Sequence, residues 1–172
     1  MLTKGVTRTI LILLIIILNV GCDQVSKKIV RHTVSADESI EVIGNHFTVM
    51  RVENTGAFLS VGDSLPRAAK NVLLSLLPLI ALIIGFGYIL TRTSITAVPL
   101  AGFCFIMGGG IGNIFDRMFY GSVTDFLHIE AGVFHTGIFN MADVSIVTGT
   151  LIVLGHLIFK KKQIVAIEKE SG

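Results

Sequence analysis

The chain has 172 residues, enough for one domain. Hydrophobic residues make up 52% and charged ones only 15%, which argues against a water-soluble globule and for the bilayer. A net charge of +2 is too small to suggest a nucleic-acid partner, and with no Trp any interfacial aromatic belt falls to Tyr88, Tyr120 and some of the Phe residues.

The first apolar window of spanning length runs from about Thr9 to Val30 and begins TILILLIIILNVGC. Lys4 and Arg8, the apolar core and then NVGC imitate a secretory signal with a lipidation cysteine at Cys22. Asn19, where such a signal needs an apolar residue, and three further spans argue against that reading. Cys22 and Cys104 both lie in apolar runs without a CxxC, so they are expected to be buried packing residues rather than a disulfide. At the outer end of this span stands DQVSK, with Asp23 and Lys27 at i and i+4 on one helix face. A structural ion pair is the plain reading; direct chemistry by Lys27 lacks a suitable partner, since the adjacent Ser26 points elsewhere.

Residues 32–66 are the largest piece outside the spans. Alternation in IEVI and FTVMRV, with turn signals at Gly44-Asn45 and Asn54–Gly56, predicts a small β-sheet on the outer membrane surface. The second span covers about 72–90 and the third about 97–115. The third ends in MGGGIGNIFDR, where Gly108, Gly109, Gly110 and Gly112 thin one stretch of helix, either for packing or for close approach of a ligand. Asn113, Asp116 and Arg117 follow at i, i+3 and i+4 and share a face. An outer loop of about 117–140 holds a strand-like VTDFLHI, the fourth span covers about 141–159, and beyond Lys160 a short frayed tail is expected. The fold class is therefore a mainly α membrane protein: four transmembrane helices in a single domain over 1–172, with a small extracytoplasmic β-module between spans 1 and 2.

Four spans put both termini on one side. Lys and Arg tie at seven on each side, but the run Lys160–Lys162 abuts a span end, where the positive-inside effect is strongest. That favours cytoplasmic termini.

Carboxylates near the bilayer are costly, up to about 2.5–3.5 kcal/mol at a helix centre. Asp125 and Asp143 nonetheless flank the mouth of span 4. Asn140 can cap that helix and leave Asp143 in its first turn, which favours a carboxylate there. Asp125, in Val-Thr-Asp-Phe, has no cation beside it in sequence. If the loop folds back, the two carboxyls meet. A pair about 3 Å apart shares one proton, so that one member serves as base and the other as acid toward a water between them. Such a site needs no cofactor and no metal. The five His show no metal-ligand spacing, and HExxH and G-x-S-x-G are both missing. By elimination the aspartate pair is the best candidate for catalysis. A proton- or ion-coupled transporter would also use intramembrane acids, but near the midplane; a non-catalytic scaffold would need no paired acids.

DQVSK (23–27), NTGAF (54–58), GGGIGNIFDR (108–117), VTDF (123–126) and FNMAD (139–143), in that order and embedded in four spans, resemble the lipoprotein signal peptidase (signal peptidase II) family over nearly the whole chain. The resemblance implies an aspartic endopeptidase of the bacterial inner membrane, with cytoplasmic termini and its active site at the outer face. Its substrate would be a diacylglyceryl-modified prolipoprotein, cut before the lipidated Cys. Asp125 and Asp143 match the catalytic residues; Asn54, Gly56, Asn113, Arg117 and Asn140 match the surrounding shell; Asp23, Lys27 and Asp116 match structural polar positions. Membrane lipid as a partner, cyclic peptide inhibitors of the globomycin type and action as a monomer are further expectations. One departure is that only Ala57 separates the Asn-x-Gly element from Phe58, where many members show two small residues. The glycine face of span 3 is expected to admit the substrate helix.

Overall fold

The computed structural model describes residues 2–170 except 37, 45, 58–61 and 63. Asn45 of the predicted turn and Phe58 of NTGAF lie outside these described residues. Among the described residues four helices are long and apolar enough to cross a membrane: α1 (Leu2–Thr33), α2 (Arg67–Thr91), α3 (Ala97–Tyr120) and α4 (Met141–Glu170). Each contains its predicted span. Three run past the expected outer ends, because helix hydrogen bonding continues into the polar segments DQVSKKIVRHT, RAAKN and NIFDRMFY. At the other end α4 remains helical to Glu170 instead of fraying after Lys160.

The helix ends have visible causes. α3 stops at Gly121, whose φ of 78° is left-handed backbone that favours glycine. On the opposite side of the bundle Arg8 of α1 donates to Ile89 O (2.7 Å) and Arg92 O (3.0 Å), satisfying carbonyls at the end of α2. Ile12, Ile16, Ile89, Cys104 and Met107 form the core between α1, α2 and α3. Much of the remaining Leu, Ile and Val surface of the helices is exposed, as a lipid-facing wall requires. Cys22 belongs to that wall and is exposed, contrary to the expectation of burial; Cys104 is buried.

The sheet is larger than the sequence suggests. β1 (Ser39–Ile43) and β2 (Phe47–Asn54) come from the 32–66 segment, as expected. β3 (Val123–Ala131) and β4 (Phe134–His135) come from the segment between the third and fourth spans and complete one antiparallel array in the order β1-β2-β3-β4. The segment 117–140 is thus the end of α3 followed by half a sheet rather than a loop. Val30 and Val34, at the end of α1 and just after it, pack with Phe126 beneath the strands, which seats the sheet on the bundle.

α3 is the central helix, and its glycines face three different neighbours. A Cβ on Gly108 would meet Asn19 of α1 at 2.5 Å, one on Gly110 would meet Leu82 of α2 at 3.0 Å, and those on Gly109 and Gly112 would collide with Ala142 O and with Asp23 Oδ2. Lower down, a Cβ on Gly102 would come within 2.8 Å of Gly149 O in α4. The expectation that this face admits a substrate helix is therefore corrected: it is filled by the protein's own helices, whose backbones approach closely only because side chains are missing.

Gly109→Ala should destabilise the fold by about 1–3 kcal/mol through overpacking. Gly85→Ala, where a Cβ meets open space, should stabilise it by about 0.5–1 kcal/mol through helix propensity. Thermal unfolding in detergent should move in opposite directions for the two variants.

Candidate active site

The sheet register carries the first acid to its place. Asp125 pairs with Val52 and Val123 with Asn54, so Asn54 and Asp125 are diagonal neighbours on one face. Asn54 Nδ2 donates to Asp125 Oδ2 at 2.9 Å and to Ala57 O at 3.0 Å, while its Oδ1 accepts from Gly56 N at 2.9 Å. This side-chain turn folds the start of NTGAF against the carboxylate.

The helix start carries the second. Asn140 caps α4: its Oδ1 accepts from Asp143 N (3.1 Å), and its own N–H donates to Asp143 Oδ2 (3.1 Å). That reciprocal pair is a capping box closed by an aspartate. Asn140 Nδ2 also donates to Asp125 Oδ1 at 2.5 Å. One fully buried asparagine therefore grips both acids. Asn113 Nδ2 donates to Asp143 Oδ1 at 2.9 Å, so all four oxygens of the two carboxyls accept a hydrogen bond.

Behind Asn113 lies a buried charge cluster. Lys27 Nζ donates to Asn113 Oδ1 (2.9 Å) and lies 2.8 Å from Asp23 Oδ2 and 3.0 Å from Asp116 Oδ2. These three contacts match the three protons of an ammonium. Lys27, Asp23 and Asp116 are all 0% exposed. Asp23 Oδ1 in turn accepts from Ala142 N at 2.9 Å, so its charge meets an orphan amide in the first turn of α4. Arg117 NH2 donates to Gly56 O at 3.0 Å and makes no ion pair among the described residues.

All ten residues singled out from the sequence thus meet at one end of the bundle. Several members went unassigned. Gln24 Nε2 reaches Asp23, Asp116 and Gly112 O. Arg31 lies 3.1 Å from Asp116 Oδ2, and its Nε donates to Thr124 Oγ1 at 2.7 Å. Thr124 donates to Glu53 across the strand pair. Arg31 was detectable: Asp23, Lys27 and Arg31 continue the i, i+4, i+8 ladder of one face. The Thr124–Glu53 contact depends on pairing between distant strands and had no local signal.

Burial dominates the Asp125 carboxyl and pushes its pKa from 3.8 up to about 6. The hydrogen bonds from Asn54 and Asn140 pull the other way, and the nearby Asp143 charge adds to the rise. The chemistry available is acid–base: a buried carboxyl whose proton affinity is raised, a second carboxyl bridged to it by Asn140, and fixed amide donors around both. Among the described residues no group of three or more His, Cys, Asp or Glu is placed to hold a metal.

Comparison with known proteins decides the family. The model for signal peptidase (SPase) II matches residues 15–159. The chain belongs to the signal peptidase II family. It is accordingly an aspartic-type signal peptidase II protease and a multi-pass membrane protein. The lipoprotein signal peptidase of Desulforapulum autotrophicum is 36% identical over 161 residues, covering 92% of this chain and 96% of that one. The enzyme of the same name from Clostridium novyi is 32% identical, covering 87% and 98%. A solved structure described as a bacterial membrane enzyme structure by the in meso method at 2.3 Å resolution superposes with a TM-score of 0.79 at 25% identity, covering 88% of this chain and 90% of that one.

Two predictions follow from the geometry. Lys27→Met strands two buried carboxylates and should cost about 3–5 kcal/mol; thermal unfolding should show a large loss, much reduced when Asp23→Asn and Asp116→Asn are added. Because Asp125 binds its proton more tightly folded than unfolded, stability attributable to it is present below pH about 4 and is lost as pH rises through about 6. Melting temperatures across that window should fall less steeply for Asp125→Asn than for the parent chain.

Proposed function

We propose that Asp125 and Asp143 are the catalytic dyad of an intramembrane endopeptidase that removes the signal peptide from diacylglyceryl-modified prolipoproteins, cutting just before the lipidated Cys. The observation that carries this reading is Asn140, bonded at once to both acids. Family membership supplies the coarser activity, removal of signal peptides from prolipoproteins.

In the proposed reaction Asp143 takes a proton from the water held between the carboxyls as the water oxygen attacks the scissile carbonyl carbon. Asp125, carrying the shared proton, gives it to the carbonyl oxygen, forming a gem-diol. Asp143 then passes its proton to the leaving nitrogen of the Cys as the C–N bond breaks, and Asp125 recovers a proton from the diol. Asn54, Asn113 and Asn140 fix the carboxyl planes, and Arg117 with Gly56 fixes the adjoining turn. Asp23, Lys27 and Asp116 hold the platform. A cavity of about 270 Å3 lined by Val52, Asn54, Asp125, His128 and Thr136 opens on the Asp125 side of the pair and offers room for the segment being cut.

We place both termini in the cytoplasm, on the strength of the Lys160–Lys162 run, and the dyad at the outer face of the bacterial inner membrane, in a single domain acting as a monomer. A transporter reading is disfavoured because Asp23, Asp116, Asp125 and Asp143 belong to one connected network at one end of the bundle rather than to a midplane path.

Asp125→Asn and Asp143→Asn should each lower cleavage of a lipidated prolipoprotein by about 10²–10⁴-fold while the protein still inserts and folds. Precursor accumulation on gels, with melting temperature as the folding check, reads this out. Cleavage at parental rates by either variant would refute the dyad. A globomycin-type cyclic peptide should block the parent chain.

A further inference from the structure

Lys27 and Arg117 belong to the proposed site and Arg31 braces its Asp116 from behind; Lys28, Arg31, Arg51, Arg67 and Lys70 are the other cations expected on that side. Three of the others converge elsewhere. A cavity of about 730 Å3 opens beside the outer ends of α1 and α3, lined among others by Lys28, Arg31, His32, Arg51, Phe115 and Tyr120, with Glu53 as the one carboxylate in its lining. Glu53 is already engaged by Ser122 (2.7 Å), Thr124 and Arg51 (3.2 Å). Asp116, behind Arg31, is shared with Lys27.

Two of the three cations, Arg31 and Arg51, are held in place before any ligand arrives. The Arg31 guanidinium lies 3.9 Å over the Tyr120 ring, with its Nε fixed by Thr124. Arg51 NH1 donates to Arg31 O at 3.2 Å. Lys28 is exposed and makes no ion pair among the described residues. The cavity sits where the apolar flank of the bundle ends: Val25 and Ile29 are exposed on the same stretch of α1, and Phe115 and Tyr120 are exposed on α3. Cations directly beyond a span on the outer side run against the usual inward bias of Lys and Arg. Basic pockets between transmembrane helices, rimmed by aromatics, suit lipid phosphate, which a guanidinium recognises with paired N–H groups.

We propose that this cavity binds the phosphate of an anionic phospholipid, with the acyl chains lying along Phe115 and the apolar flank of α1. The site is separate from the dyad; it rests on the outward orientation proposed above and not on the reaction.

The purified full chain, offered equimolar phosphatidylglycerol and phosphatidylcholine and analysed by native mass spectrometry, tests it. Each cation that lines the cavity is worth about fivefold in its preference for an anionic headgroup. The parent should therefore prefer the anionic lipid by about fivefold or more, and K28Q/R51Q should lose that preference. Lys28→Gln alone, at an exposed residue, should lower it several-fold and keeps the test open if the double variant fails to fold. R67Q removes an outer cation that does not line the cavity and should leave the preference intact. Equal retention of both lipids by the parent, a preference that survives K28Q/R51Q, or an equal loss in R67Q would overturn the proposal. So would full displacement of the lipid by millimolar inorganic phosphate, which would identify a free-phosphate site instead.

Discussion

The arrangement depends on one ammonium group. Lys27 is wholly buried near the C-terminal end of α1 and reaches Asp23, Asp116 and Asn113 within 3.0 Å. Through Asp116 and Asn113 it ties α1 to α3; through Asp23 and the Ala142 amide it ties α1 to the start of α4. A lysine without such partners would be very costly to bury, and so would either acid. The three helices must therefore meet in one register, and that register aims Asn113 at Asp143.

Close approach in this layer is bought with missing side chains. Each glycine in α3 gives up about 1 kcal/mol of helix propensity relative to alanine. In return Asp23, Asn19 and Ala142 sit against the α3 backbone. In lipid, packing and interhelical hydrogen bonds replace the hydrophobic drive that holds soluble bundles together. The polar layer and the glycine run are two halves of one solution: the first supplies direction, the second supplies contact.

The helices were legible because spanning length and apolarity are local properties, and the four windows at 9–30, 72–90, 97–115 and 141–159 all fall inside the observed helices. The i, i+4 pair Asp23–Lys27 and the cap at Asn140 were legible for the same reason. What the sequence hid is what distant segments do together. VTDFLHI reads as a strand, but nothing local says that it pairs with FTVMRVEN some seventy residues earlier or that Asp125 thereby comes to lie beside Asn54. The glycine run was ambiguous between packing and ligand access, since both need a thin helix, and only the positions of Asn19, Ala142 and Asp23 decide it. Cys22 misled because apolar context in a membrane chain means either core or lipid.

The shared sheet has a consequence for biosynthesis. β2 leaves the ribosome long before β3, and the cap that grips both carboxyls stands at the start of the last helix. A nascent chain that has inserted its first three spans owns neither the completed strand pair nor the capping asparagine. The two carboxyls can be bridged by one asparagine only once the start of the last helix is in place, so the network closes in a single late step.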